Sequence, residues 1–236
     1  MVHIYFIALL LSHIIIIKTL KNKILNKKFS QVFKMKVIMA PISILLSLLI
    51  IKVIELPLDE AGLTLGNISA GFKSIMYIGL PLAIISSSLI FLAPKKELDE
   101  LKYGNQSDIW TFIYVWVLVG PVEEILYRGF VQGTLSNLVE GKIFYISYAT
   151  IIASLIFVLA HITNVYSNNE SWESFLGMIP TRFIAALVLG FSFQISKSLI
   201  YPIIIHNLID GFNLSVLTYR KQKLKNEDEK IPKEEL

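Results

Sequence analysis

Cysteine is absent from all 236 residues. That rules out a disulfide framework, a metal thiolate and a nucleophilic thiol, and with them cysteine-protease chemistry. Charge is scarce too: Asp, Glu, Lys and Arg make up 17% of the chain against 54% hydrophobic residues, and mean hydropathy is +0.63. A typical soluble domain carries more charge and less apolar sequence than this. The first apolar stretch, residues 2–17, has neither a basic segment before it nor a small-residue cleavage site after it. It reads as a retained helix, not a removable signal peptide. No convincing internal repeat and no low-complexity segment is present. The net charge of +4 is too small to suggest a nucleic-acid partner.

What is present is apolar sequence in blocks of about 20 residues, the length a helix needs to cross the hydrocarbon core. Backbone groups in lipid must be satisfied within the segment, so even the Ile/Val-rich runs are expected to be helical. The predicted fold is an all-α, polytopic transmembrane bundle of about seven spans: 2–17, 37–54, 73–93, 109–134, 143–165, 174–196 and 198–219. Residues 1–219 form a single membrane domain and 220–236 a charged, mobile tail. Basic residues outside the spans set the orientation. The first and third loops and the tail carry sixteen Lys and Arg; the other side receives four, Lys52 and Lys73 at span ends and Lys142 and Lys197 between spans. The prediction is a cell-membrane protein with its N-terminus outside and its tail in the cytoplasm.

Against this background a few ionisable residues fall inside spans, where each costs a few kcal/mol on insertion scales and needs a partner or a purpose. The stretch GPVEEILYRGF, residues 120–130, holds Glu123, Glu124 and Arg128. Gly120-Pro121 is expected to kink its helix. Glu124 and Arg128 stand at i,i+4 with the carboxylate N-terminal, the better orientation for neutralising each other. Glu123 lies about 100° around the helix with no local cation, and is the carboxylate left available for proton transfer. Ion-paired glue between helices is the plain alternative. His161 ends the span containing FVLAH, and His206 sits within YPIIIHNLID beside Asn207, with Asp210 at i+4. Two histidines and an uncompensated glutamate on three spans are less easily dismissed as helix–helix hydrogen bonds. His3 and His13, in the first span, have no acidic company and are expected to be structural. Arg182 has three readings: snorkelling to the interface, pairing with an acidic group, or receiving a substrate carboxylate. A structural role is favoured.

At these residues the chain resembles the CPBP family of intramembrane proteases, the type II CAAX prenyl endopeptidases and their bacterial relatives. The family shows E-E-x-x-x-R, F-x-x-x-H and H-x-x-x-N on three helices. EEILYR supplies Glu123, Glu124 and Arg128, FVLAH supplies Phe157 and His161, and HNLID supplies His206 and Asp210. The likeness covers about residues 109–215, and places the catalytic core on the fourth, fifth and seventh spans. One departure is that the family's Asn is Asp210 here. An amide donates a hydrogen bond to an oxyanion, whereas an ionised carboxylate only accepts one. Asp210 is therefore protonated, holds His206 as imidazolium, or binds a metal. Asn207, also about 100° around the helix, is not an obvious substitute.

The resemblance implies peptide-bond hydrolysis in an intramembrane cavity. Glu123 would act as general base on a water, His161 would share that water and pass its proton to the leaving amine, and His206 with Asp210 would stabilise the oxyanion. Glu124 and Arg128 would hold the helix geometry. A variant places a divalent ion, zinc, among Glu123, His161, His206 and Asp210, although no dedicated metal motif is present. The expected partners are the lipid bilayer and a peptide or membrane-anchored protein substrate. The alternatives are a non-catalytic membrane regulator or bacteriocin-immunity protein on the same scaffold, or a transporter using the buried groups as a proton relay. The lack of repeated halves counts against the transporter.

Overall fold

The computed structural model describes residues 29–100, 108–166 and 170–229. The predicted span 2–17, with His3 and His13, lies outside them. Six helices among the described residues are long and apolar enough to cross a membrane, and the protein is an all-α, multi-pass membrane bundle. In chain order they are α1 (Phe29–Val53), α2 (Ile68–Leu92), α3 (Ile109–Leu138), α4 (Tyr148–Tyr166), α5 (Trp172–Ser196) and α6 (Ile200–Asp228). The fourth, fifth and seventh predicted spans are thus α3, α4 and α6.

Helix ends follow local chemistry. Asn67 accepts a hydrogen bond from Ala70 N at the start of α2, Asp108 from Trp110 N at α3, Ser147 from Thr150 N at α4, and Ser171 from Ser174 N at α5. Each side-chain oxygen satisfies one amide that the first helical turn leaves without a partner. Pro202 falls in the first turn of α6, where a missing N–H costs little.

The core is where α3 passes between its neighbours. Leu126, Phe130 and Val131 of α3, Ala149, Ala153 and Phe157 of α4, and Ala186 and Phe193 of α5 form one buried cluster with Ile51 of α1. A second cluster joins Ala83 of α2 and Leu189 of α5 to Ile205 and Ile209 of α6. Large apolar side chains such as Leu45, Leu89, Leu159 and Ile184 remain exposed on the outside of the bundle, as a lipid-facing surface requires.

Three sequence-based boundaries need correction. The span predicted from 143 starts at Tyr148. Residues 142–147 instead form a two-stranded antiparallel hairpin, β1 (Lys142–Ile143) with β2 (Ile146–Ser147). Gly141 at φ +105° and Phe144 at φ +53° reverse the chain there, a conformation no helix accommodates. The α1 helix begins at Phe29, not 37, and carries Lys34 and Lys36 within it. Lys36 lies over the Phe33 and Tyr114 rings at 4.7 and 4.9 Å, an aromatic setting that lets a lysine sit on a helix close to an apolar surface.

The charged segment from Arg220 also departs from expectation, because α6 runs on to Asp228. Arg220 Nη2 donates to Ala93 O at 3.3 Å and its guanidinium covers Phe91 at 5.4 Å. Lys95 Nζ donates to Asp228 Oδ1 at 2.7 Å, and that hydrogen bond raises the ammonium's pKa above its usual value. These contacts fasten the end of α6 to the end of α2.

Candidate active site

The site begins with an irregularity in α3. Two stretches of this helix, Tyr114–Leu118 and Ile125–Gln132, are wound as wider π-helical turns, and the short α-helical piece between them, Val119–Glu124, contains Pro121. Pro121 lacks the N–H that an α-helical turn would direct at the Val117 carbonyl. Asn207 of α6 takes its place: Nδ2 donates to Val117 O at 3.3 Å, and Oδ1 accepts from Gly120 N at 2.9 Å. Gly120 permits that approach, since a Cβ there would come within 2.5 Å of Asn207 Oδ1. The sequence marks both Pro121 and Asn207, but only the fold shows that one repairs the other. Asn207 is a clasp between α3 and α6.

One turn further on, Glu124 is fully buried at 0% exposure and Arg128 is buried at 1%. Their predicted pairing is present, with Arg128 Nε 3.2 Å from Glu124 Oε2. Arg128 Nη2 also donates to Ala186 O of α5 at 3.0 Å, and its guanidinium lies 4.7 Å from the Phe157 ring centre on α4. The same arginine therefore touches three spans. Its planar head suits this combination of ion pair, carbonyl and ring better than a lysine would.

Glu124 does more than neutralise Arg128. Its Oε1 accepts from His206 Nδ1 at 2.7 Å. On the opposite edge of the ring, Nε2 lies 3.5 Å from Asp210 Oδ2 and 3.9 Å from Glu123 Oε2. Both ring nitrogens look at carboxylate oxygens, and only a doubly protonated ring can donate on both sides. Glu124 thus has the place of the acid that fixes an imidazole's orientation. The helical i,i+4 rule found its arginine; the histidine, 82 positions away, left no local signal. The contact with His206 adds a second partner to the Glu124–Arg128 pair expected from the sequence.

The two outer carboxylates differ from Glu124 in exposure. The Glu123 side chain is 27% exposed and that of Asp210 41%, against 7% for the His206 side chain. The cluster therefore has a sealed side, Glu124–Arg128, and an open side, Glu123–Asp210, with the His206 ring between them.

His161 reaches the cluster indirectly. Its Nδ1–H donates to Phe157 O at 2.9 Å, so Nε2 is the ring nitrogen left to face a water or substrate. Its ring lies 4.8 Å from the Phe157 ring, which is itself 6.2 Å from His206 and 5.0 Å from Tyr127. Phe157 is the common neighbour of both histidines, Tyr127 and Arg128. Among the described residues no hydrogen bond or ion pair joins His161 to Glu123 or His206. Nor does any group of three or more His, Asp or Glu side chains stand ready to hold a metal ion. Glu123, His161, His206 and Asp210, considered as zinc ligands, are not drawn together into such a group. No step below runs through a metal.

Arg182 pairs with Glu170 at 2.8 Å in a largely buried contact and lies 5.7 Å from the Phe175 ring. This is the acidic-partner reading, with the partner supplied by the segment before α5.

Two comparisons bear on the same region. The family described as type II CAAX prenyl endopeptidase Rce1-like matches residues 105–212, just under half of the chain. The membrane-embedded CAAX protease MroQ of Staphylococcus aureus (strain USA300) is 34% identical over 103 residues, which is 43% of this chain and 37% of that protein. The chain therefore aligns with little more than a third of that relative's length. No solved structure matches. The matched segment, 105–212, contains every residue of the cluster around His206.

Proposed function

We propose, from the similarity of residues 105–212 to the type II CAAX prenyl endopeptidase Rce1-like family, that the chain is an intramembrane endopeptidase hydrolysing a peptide bond in a membrane-associated peptide or protein. The observation that carries this reading is the His206 ring gripped by Glu124 on its buried edge while Glu123 and Asp210 line its open edge. Glue between helices needs charges that cancel and are sealed; half of this cluster is open.

In the proposed reaction Glu123 takes a proton from a water as its oxygen bonds to the scissile carbonyl carbon. The carbonyl π electrons move onto oxygen, and His206 Nε2–H donates to the resulting oxyanion, with its ring held by Glu124. Collapse of the tetrahedral species breaks the C–N bond, and the proton held by Glu123 passes to the leaving amine. His161, with Nε2 free to accept, orients the water and shares that transfer. Arg128 holds Glu124 in place. The products are a carboxylic acid and an amine, and the acid's proton passes to the amine to leave a carboxylate and an ammonium.

The proposed orientation puts the end of α6 in the cytoplasm, and a reporter fused after Leu236 reads it directly. A signal from the opposite side would reverse it.

The chemical test uses purified protein in liposomes with a pool of single-span peptides, new termini being identified by mass spectrometry. Cleavage is expected to survive chelator treatment. Asp210→Asn is expected to keep or raise the rate, because an amide donates to the oxyanion where a carboxylate cannot. Stoichiometric zinc that is lost together with activity, on chelation or in Asp210→Asn, would instead show a metal-dependent enzyme. A protein that binds these peptides and never cuts them would be the non-catalytic regulator.

A further inference from the structure

Tyr127 is the polar side chain beside the cluster to which no step above gives a task. It follows Glu123 by four residues on α3, so the two side chains project from nearly the same side of the helix. The residue is 8% exposed. Its ring meets Phe157 edge to face at 5.0 Å with an interplanar angle of 82°, so its orientation is set by the ring that contacts both histidines. Among the described residues its hydroxyl makes no hydrogen bond, and it is not among the side-chain atoms closed off inside the protein. A buried tyrosine ordinarily finds a partner for its O–H. This one keeps the ring packed and leaves the hydroxyl unpaired, one helical turn from the proposed base.

The departure at position 210 gives that hydroxyl a use. With a carboxylate at 210, His206 is the single side-chain donor of the cluster facing the open side, and a tetrahedral oxyanion is stabilised best by more than one. We propose that Tyr127 is a catalytic residue whose O–H donates the second hydrogen bond to the oxyanion, in the role left empty by Asp210. The hydroxyl keeps its proton throughout: it donates as the carbonyl π electrons move onto oxygen and releases the hydrogen bond when the C–N bond breaks. The proposal rests on the endopeptidase reading.

The test is a four-member cycle in liposomes: wild type, Tyr127→Phe, Asp210→Asn and the double variant, with kcat, KM and thermal midpoint measured for each. Tyr127→Phe removes one oxygen and leaves the ring contact, so the midpoint and KM should change little while kcat falls about a hundredfold. Adding Asp210→Asn to Tyr127→Phe should restore kcat by about tenfold or more, because the amide supplies the missing donor. That rescue is not expected of a tyrosine that only packs. Incorporating 3-fluorotyrosine at 127 strengthens the donor and retains the hydroxyl, and should keep or raise kcat. A Tyr127→Phe rate within about twofold of wild type, or a double variant no faster than Tyr127→Phe, overturns the proposal while leaving the endopeptidase intact. An inactive wild type would count against the endopeptidase itself.

Discussion

Glu123→Gln is expected to lower cleavage by about a thousandfold while the protein accumulates and melts as the wild type does. The two halves of that result have separate causes. Glutamine has nearly the same shape as glutamate but cannot accept the proton from water, and loss of a positioned general base costs about 10²–10⁴-fold. Stability is spared because the Glu123 side chain is 27% exposed and its nearest charged partner, His206 Nε2, stands 3.9 Å away, so little is left stranded. Glu124→Gln should behave differently. Glu124 is fully buried between Arg128 and His206, and neutralising it removes both contacts at once, so abundance and activity should fall together. The measurement is initial rate and thermal midpoint for both variants side by side. Equal effects from the two glutamates would remove the distinction between a base and a positioning acid.

Arg128→Ala should be the most destabilising single change in the site. It leaves Glu124 with His206 alone, exposes Phe157 to a cavity and removes the side-chain donor from Ala186 O. Removing one partner of a buried ion pair costs about 3–5 kcal/mol, a large fraction of the total stability of many proteins. Little folded protein should be recovered, as read by membrane yield and by size-exclusion elution in detergent. Arg128→Lys should recover some yield, because an ammonium can approach Glu124 but cannot serve ring, carbonyl and carboxylate together. A monodisperse Arg128→Ala sample at wild-type yield would mean that Glu124 finds another cation or is uncharged in the fold.

Much of this was legible in the sequence, for physical reasons. Apolar blocks of spanning length can only be helices in lipid, which is why six of the seven predicted spans recur as α1–α6. Glu124–Arg128 was readable because i,i+4 spacing is a local rule. What the sequence left hidden is non-local. The bond from His206 to Glu124, the Asn207 clasp over Pro121 and the Arg128 contact with Ala186 O each join different spans, and nothing in a helical repeat encodes which faces meet. The hairpin at 142–147 is hidden because its Ile, Phe and Tyr are as apolar as a span, and Gly141, at φ +105°, is the residue that breaks the helix there. The helical end of α6 was misread in the opposite sense, because its charges suggested solvent when Arg220 and Asp228 reach back to Ala93 and Lys95.

The central claim is that an open carboxylate beside a gripped histidine hydrolyses peptide bonds within the membrane. It is met most directly by comparing the membrane-bound and released peptides of cells that produce the wild type or Glu123→Gln at matched abundance. The expected result is a defined set of fragments, sharing new termini at the edge of or within apolar segments, that appears with the wild type and is missing from the variant. Identical peptide populations in the two, with both proteins folded and in the membrane, would contradict the claim and return the cluster to the role of a structural or regulatory ion-pair network.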